Sequence, residues 1–273
     1  MTTLLSTDVE VLGLTGRIFW TDGTPAPGTP APGTAALFQG TEPASQPAYI
    51  LIHGIGVSHR YLARLHAKLS ASAPTYSLDL PGFGGTPKPS RRLQVEDYGA
   101  FIAEALKSRG IESYVLVGHS MGVQFAIEAA LHGPDRVRHL VLMGPVVDSR
   151  HKNVWRQSLA LTLDGLLRES PSSNLIVTTD YLRCGPRWYL AELPVMMKYP
   201  TEKRLAGIEV PVLILRGSRD QVAGPEWSLK LSRAVSRGRL VEVPGVGHVV
   251  QHMRPQAVAD AIRSFVAATA QQR

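Results

Sequence analysis

Tyr114-Val115-Leu116-Val117-Gly118-His119-Ser120-Met121-Gly122 is the stretch that decides how this chain reads. An apolar, β-prone run stops at Gly118, and the residues after Gly122 (Val123, Phe125, Ala126, Ile127, Ala129, Ala130) recur with helical spacing. The pattern predicts a strand, a sharp turn and a helix. Gly118 and Gly122 flank Ser120 with the Gly-x-Ser-x-Gly spacing, in which small neighbours let a serine occupy a strained turn with its hydroxyl aimed out of a sheet. A serine in an ordinary loop is the competing reading. The strand before it and the helix after it favour a nucleophile.

Upstream, Ala48 to Ile52 is a continuous apolar run of the kind found in a strand buried on both faces, and it ends in His53-Gly54-Ile55-Gly56. A glycine-rich turn after a central strand can aim backbone N–H groups at a ligand, which acyl transfer requires for its developing oxyanion; a plain connecting turn would look the same. A helix over 60–72, a strand from Thr75 to Leu78, the turn Asp79 to Thr86 and an amphipathic helix from Val95 to Gly110 follow. Downstream come the helix from Gly122 to Leu131 and the strand Leu140 to Met143. This alternation implies a mostly parallel sheet with helices on both faces.

The alternation breaks off over 146–205, where Trp155 to Arg168 and Tyr181 to Lys198 are helix-prone and Ser170-Pro171-Ser172-Ser173-Asn174 reads as a turn or linker. We expect an inserted helical subdomain there, with 1–145 and 206–273 as the two parts of the core. Strand signals resume at 210–215 and at Arg239 to Val243, before a terminal helix from Pro255 to about Ala268. At the other end, Val9 to Trp20 reads as a first strand and Ala35 to Gln39 as a second. Between them the proline-rich loop 21–34 repeats Thr-Pro-Ala-Pro-Gly and is expected to be an exposed connector.

Two later segments add chemistry. The strand over 210–215 runs into Arg216-Gly217-Ser218-Arg219-Asp220, and Arg239 to Val243 runs into Pro244-Gly245-Val246-Gly247-His248. A carboxylate and an imidazole thus each follow a predicted strand. Serine, acid and histidine in this chain order resemble the α/β-hydrolase superfamily, and the resemblance covers about Ala35 to Ala268. It implies an α/β-hydrolase fold with a helical cap over 146–205. By motif it makes Ser120 the nucleophile, Asp220 the acid and His248 the base, with the N–H groups of Ile55 and Met121 as the oxyanion hole. His53, Gly54, Gly56, Gly118, His119 and Gly122 then have supporting roles. Asp79 to Thr86 is similar to the family's Asp-x-Pro-Gly-x-Gly-x-Ser/Thr turn. Asp148 stands at the family's alternative position for the acid, but several residues beyond its strand and beside Arg150 and Lys152, so Asp220 is the expected one.

Composition bounds what else the chain can be. Its 273 residues, 44% hydrophobic and 19% charged, suit one large α/β domain with an insertion. No apolar run is long enough to span a bilayer, and the first eight residues lack the basic and apolar blocks of a signal peptide, so a cytoplasmic protein is expected. The net charge of +7 comes from scattered basic residues with no nucleic-acid motif; it favours anionic partners only through long-range steering. Cys184 stands alone, which rules out an internal disulfide and a multi-cysteine metal site. No metal or organic cofactor is expected.

Ester or lactone hydrolysis is the favoured reaction. Serine at the elbow argues against the aspartate-dependent dehalogenases and epoxide hydrolases that this chain also resembles. Carbon–carbon hydrolysis of vinylogous diketones is the alternative, weakened because Val249 follows His248 where those enzymes commonly carry tryptophan. Cofactor-free perhydrolase or haloperoxidase chemistry and a non-catalytic small-molecule receptor are further options. The apolar residues Leu159, Leu163, Leu166, Leu167, Trp188, Leu193, Val195, Met196 and Met197 of the insertion are expected to shape an apolar pocket, although most of them should pack on the core.

Overall fold

The computed structural model describes residues 4–22, 24, 46–146 and 171–270. Strands β1 (Leu4–Val11) and β2 (Leu14–Thr21) form an antiparallel hairpin, with Leu4 opposite Thr21 and Val11 opposite Leu14. This corrects the single strand expected from Val9 to Trp20. The connecting residues Leu12 and Gly13 both have positive φ, 54° and 68°, as a two-residue turn that matches strand twist requires. Asparagine or aspartate is the usual first residue there, so leucine conceals the turn.

The sheet's centre is built from β3 (Ala48–Ile52), β4 (Thr75–Asp79), β5 (Tyr114–His119), β6 (Val137–Met143) and β7 (Val212–Gly217), with β8 (Gly238–Val243) at the far edge. Every residue of β3, β4, β5 and β7 is buried, which explains the apolar runs of β3, β5 and β7. The eight strands lie in the order β1-β2-β4-β3-β5-β6-β7-β8, antiparallel at β1/β2 and β2/β4 and parallel elsewhere.

Successive strand residues face opposite sides, so each strand feeds two cores. Ile50, Ile52, Leu116, Leu140 and Ile214 pack with helices α2 (Val95–Ser108) and α3 (Gly122–His132), while Leu51, Val117, Val141 and Leu215 pack on the other side with α1 (Ala63–Leu69) and the C-terminal helix Pro255–Ala270. Each such side chain contributes about 1.5–3 kcal/mol on full burial. From β3 the chain crosses first to β4 on one side and then to β5 on the other. The reversal opens a crevice at the carboxyl ends of β3 and β5, where ligands bind in open parallel sheets.

Between β6 and β7, α4 (Pro171–Cys184) and α5 (Pro186–Lys198) replace the single helix expected from Tyr181 to Lys198. Gly185, at φ 77°, separates them. Of the turn expected over Ser170 to Asn174, Pro171 to Asn174 lie in α4, and Ser170 lies outside the described residues. Helix α6 (Thr201–Leu205) closes the stretch expected to be helical, α7 (Pro225–Arg233) and α8 (Val250–Met253) were not expected, and the terminal helix Pro255–Ala270 is α9. The expected strand Ala35 to Gln39, the helix Trp155 to Arg168 and most of the proline-rich loop lie outside the described residues.

Glu192 of α5 is fully buried, and neither carboxyl oxygen has a hydrogen-bond partner among the described residues. Burial raises its pKa to about 7, against weaker opposing pulls from the neighbouring Tyr98 hydroxyl and Arg92. Above its ordinary pKa of 4.5 the folded chain therefore holds a proton that the unfolded chain has lost, so stability falls as pH rises from about 4.5 to 7. Replacing Glu192 with glutamine should flatten that decline and raise stability near neutral pH by on the order of 2 kcal/mol. Urea unfolding at pH 5 and pH 7.5 measures it; equal pH slopes for the two proteins would contradict the burial argument.

Candidate active site

The turn between β5 and α3 is too tight for side chains on either flank of Ser120. A Cβ on Gly118 would lie 2.3 Å from the Gly122 carbonyl oxygen, and one on Gly122 would lie 2.5 Å from that of Ile52 and 2.6 Å from that of His53. Strand β3, strand β5 and the start of α3 thus meet at bare backbone. Ser120 itself sits at φ 57°; among the described residues Leu12 is the only other non-glycine with positive φ. Such a conformation costs on the order of 1–3 kcal/mol and persists only where its surroundings enforce it. Here the Ser120 N–H donates to Met143 O at 3.0 Å, and the Ser120 carbonyl accepts from Val123 N–H at 3.1 Å.

Beyond β7, Asp220 is buried, and its Oδ1 accepts from the N–H groups of Val222 and Ala223 at 2.8 and 2.9 Å. Its Oδ2 lies 2.9 Å from His248 Nδ1. Burial alone would raise the Asp220 pKa, but the His248 imidazole and the two N–H donors outweigh it and hold the carboxyl below its ordinary value. An ionised carboxylate only accepts, so His248 Nδ1 carries the proton in this contact.

Ser120 and His248 line one cavity together with Gly54 and Ile55. Its remaining wall is mostly apolar and aromatic, with Tyr181, Tyr189 and Met196 supplied by α4 and α5. Of the insertion's apolar residues expected to shape a pocket, Met196 lines the cavity, whereas Val195 is buried in the core and Trp188, Leu193 and Met197 pack against it. Leu159, Leu163, Leu166 and Leu167 lie outside the described residues, as does Asp148.

The His53-Gly54-Ile55-Gly56 turn runs directly beside Ser120. A Cβ on Gly54 would stand 3.0 Å from Ser120 Cβ, so only glycine lets that backbone come so near. Gly56, at φ 76°, lies under the rings of Tyr181 and Tyr189. Among the described residues, the N–H groups of Ile55 and Met121 donate to no backbone carbonyl. His53 is buried and turned away from this chemistry: its Nδ1 lies 2.8 Å from Gly54 O, and its Nε2 accepts from Leu80 N–H at 3.2 Å. Burial lowers its pKa. Among the described residues no group of three or more His, Cys, Asp or Glu side chains is placed to hold a metal ion. No described helix is long and apolar enough to cross a membrane.

A sequence profile described as the alpha/beta hydrolase family matches residues 49–261. The chain belongs to the alpha/beta hydrolase family. Among its relatives, a probable 1-acylglycerol-3-phosphate O-acyltransferase of Oryza sativa is 27% identical over 44% of this chain, which spans only 31% of that protein's length. The 2-(acetamidomethylene)succinate hydrolase of Mesorhizobium japonicum is 24% identical over 82% of this chain and 90% of its own. A pimeloyl-[acyl-carrier protein] methyl ester esterase of Neisseria meningitidis serogroup A is 27% identical over 79% and 75%. In fold, the enol-lactonase from Burkholderia xenovorans superposes with a TM-score of 0.74 at 18% identity, covering 96% of this chain and all of that one.

Gly144, at the end of β6, is a site residue that the sequence reading missed. Its φ is 54°, and a Cβ there would lie 2.9 Å from His248 Cε1 and 3.0 Å from His248 Nδ1. A glycine directly after a buried strand was the available signal. Gly144→Ala should displace the imidazole and abolish or strongly shift the low-field proton NMR signal of the Nδ1–H between His248 and Asp220. An unchanged signal in a folded variant would show that the ring has room the structure denies it.

Proposed function

We propose that this alpha/beta hydrolase is a serine hydrolase that cleaves an ester or lactone of a small to medium, largely apolar substrate through an acyl-enzyme. The reading rests on one observation: Ser120, held at positive φ, shares a cavity wall with a histidine whose other nitrogen is bound to a buried aspartate. His248 Nε2 takes the hydroxyl proton as Ser120 Oγ attacks the carbonyl carbon, and Asp220 steadies the imidazolium that forms. The N–H groups of Ile55 and Met121 receive the oxyanion, each contributing about 3 kcal/mol. His248 returns the proton to the leaving oxygen, then activates the water that releases the acid.

The insertion over 146–205 serves as a cap in this scheme. Tyr181, Tyr189 and Met196 from its helices wall the cavity, and their apolar surfaces suit an acyl or lactone carbon skeleton better than a charged one. The names of two relatives, a methyl ester esterase and an enol-lactonase, agree with this bond type.

A fluorophosphonate should add a single covalent label, absent from Ser120→Ala, and the wild-type chain should hydrolyse a short p-nitrophenyl ester. Asp220→Asn should stay folded while turnover falls on the order of ten-thousandfold, because the ring loses its tautomer control and its charge partner. Full labelling of Ser120→Ala, or near-normal turnover of Asp220→Asn, would defeat the assignment.

A further inference from the structure

His119, the residue before the elbow serine, is completely buried between two partners. Its Nε2 lies 2.9 Å from the carbonyl oxygen of His248, and its Nδ1 lies 2.5 Å from the Tyr61 hydroxyl. A carbonyl can only accept, so the proton belongs on Nε2. Nδ1 is then bare and accepts from Tyr61. Burial, reinforced by the nearby His248, pushes the His119 pKa down to about 3, so the ring stays neutral in this one tautomer at any working pH. Three groups therefore form one directed chain: Tyr61 O–H to His119 Nδ1, and His119 Nε2–H to the His248 carbonyl.

The target of that chain needs fixing. His248 lies in the Pro244-Gly245-Val246-Gly247-His248 loop, whose glycines leave the backbone many alternatives. Two ties hold the residues before it: Val246 O accepts from Arg219 N–H at 2.9 Å, and Gly245 N–H donates to Ser218 Oγ at 2.9 Å. Asp220 holds the His248 ring by Nδ1.

We propose that His119 is a positioning residue that clamps the main chain of His248, so that the segment shaping the Ser120 turn also sets where the base stands. The inference rests on the proposed roles of Ser120 and His248. Nucleophile and base are thereby referenced to adjacent residues, 119 and 120, rather than to two independent loops. Misplacement of reacting groups by about 1 Å costs on the order of a hundredfold in rate, which is the scale against which such a clamp matters. His119 touches neither substrate nor the transferred proton.

Three variants test it: His119→Phe removes both hydrogen bonds, His119→Gln keeps an N–H at similar reach, and Tyr61→Phe removes the donor to Nδ1 while keeping the ring in the cavity wall. The readouts are the rate of fluorophosphonate labelling at Ser120, kcat and KM for p-nitrophenyl butyrate, and thermal melting. His119→Phe should lower the labelling rate and kcat by about tenfold or more with KM within about twofold, and His119→Gln should recover most of the loss. Tyr61→Phe should lower both rates by about threefold, and it decides the matter if His119→Phe does not fold. Labelling of the phenylalanine variants at the wild-type rate, or equal losses in His119→Phe and His119→Gln, would overturn the clamp. A wild-type chain that takes no label would instead remove the hydrolase reading on which it stands.

Discussion

The left-handed backbone at Ser120 is the constraint on which the rest of the site depends. A residue at φ 57° between a strand and a helix is unfavourable, and here it is imposed by the close crossing of β3, β5 and α3, where Gly118 and Gly122 have no side chains to keep the backbones apart. Burial of both sheet faces supplies the energy that holds the crossing together, since the apolar side chains of β5 pack into two separate cores. The serine is presented at a crevice because the strand order reverses between β3 and β5. Fold, packing and chemistry meet at one residue.

Electrostatics completes what the backbone begins. A buried carboxylate is costly unless its lone pairs are used, and Asp220 uses them on two N–H groups and the His248 ring. The same logic separates the histidines by role. His53 and His119 are buried with pKa values lowered by burial and with both ring nitrogens engaged, so they act as neutral struts. His248 lines the cavity with Ser120 and meets Asp220 through Nδ1.

Much of this was legible in the sequence, for identifiable reasons. Strands buried on both faces leave continuous apolar runs, so β3, β5 and β7 could be read almost to their ends, and the flanking glycines marked the elbow. What escaped was written in residues that do not advertise their role. Leu12 occupies a hairpin position normally signalled by asparagine, and Pro171 suggested a turn yet lies in a helix. Helix α7 went unseen, although its Trp227 Nε1 donates to the carbonyl of Pro145 and ties the helix to the end of β6. The pairing of Asp220 with His248 came from family chain order; spacing along the sequence does not contain the 2.9 Å contact. Gly144 required the fold, because its neighbour His248 is more than a hundred residues away in sequence.

The central claim is that Ser120, His248 and the two backbone N–H groups act on one carbonyl. The most direct measurement is a crystal structure of the chain after reaction with an alkyl fluorophosphonate. The account predicts phosphorus bonded to Ser120 Oγ, the phosphoryl oxygen within hydrogen-bonding distance of the Ile55 and Met121 N–H groups, and the alkyl chain lying against Tyr181, Tyr189 and Met196. Phosphorus on any other residue, or a phosphoryl oxygen pointing away from both N–H groups, would contradict it.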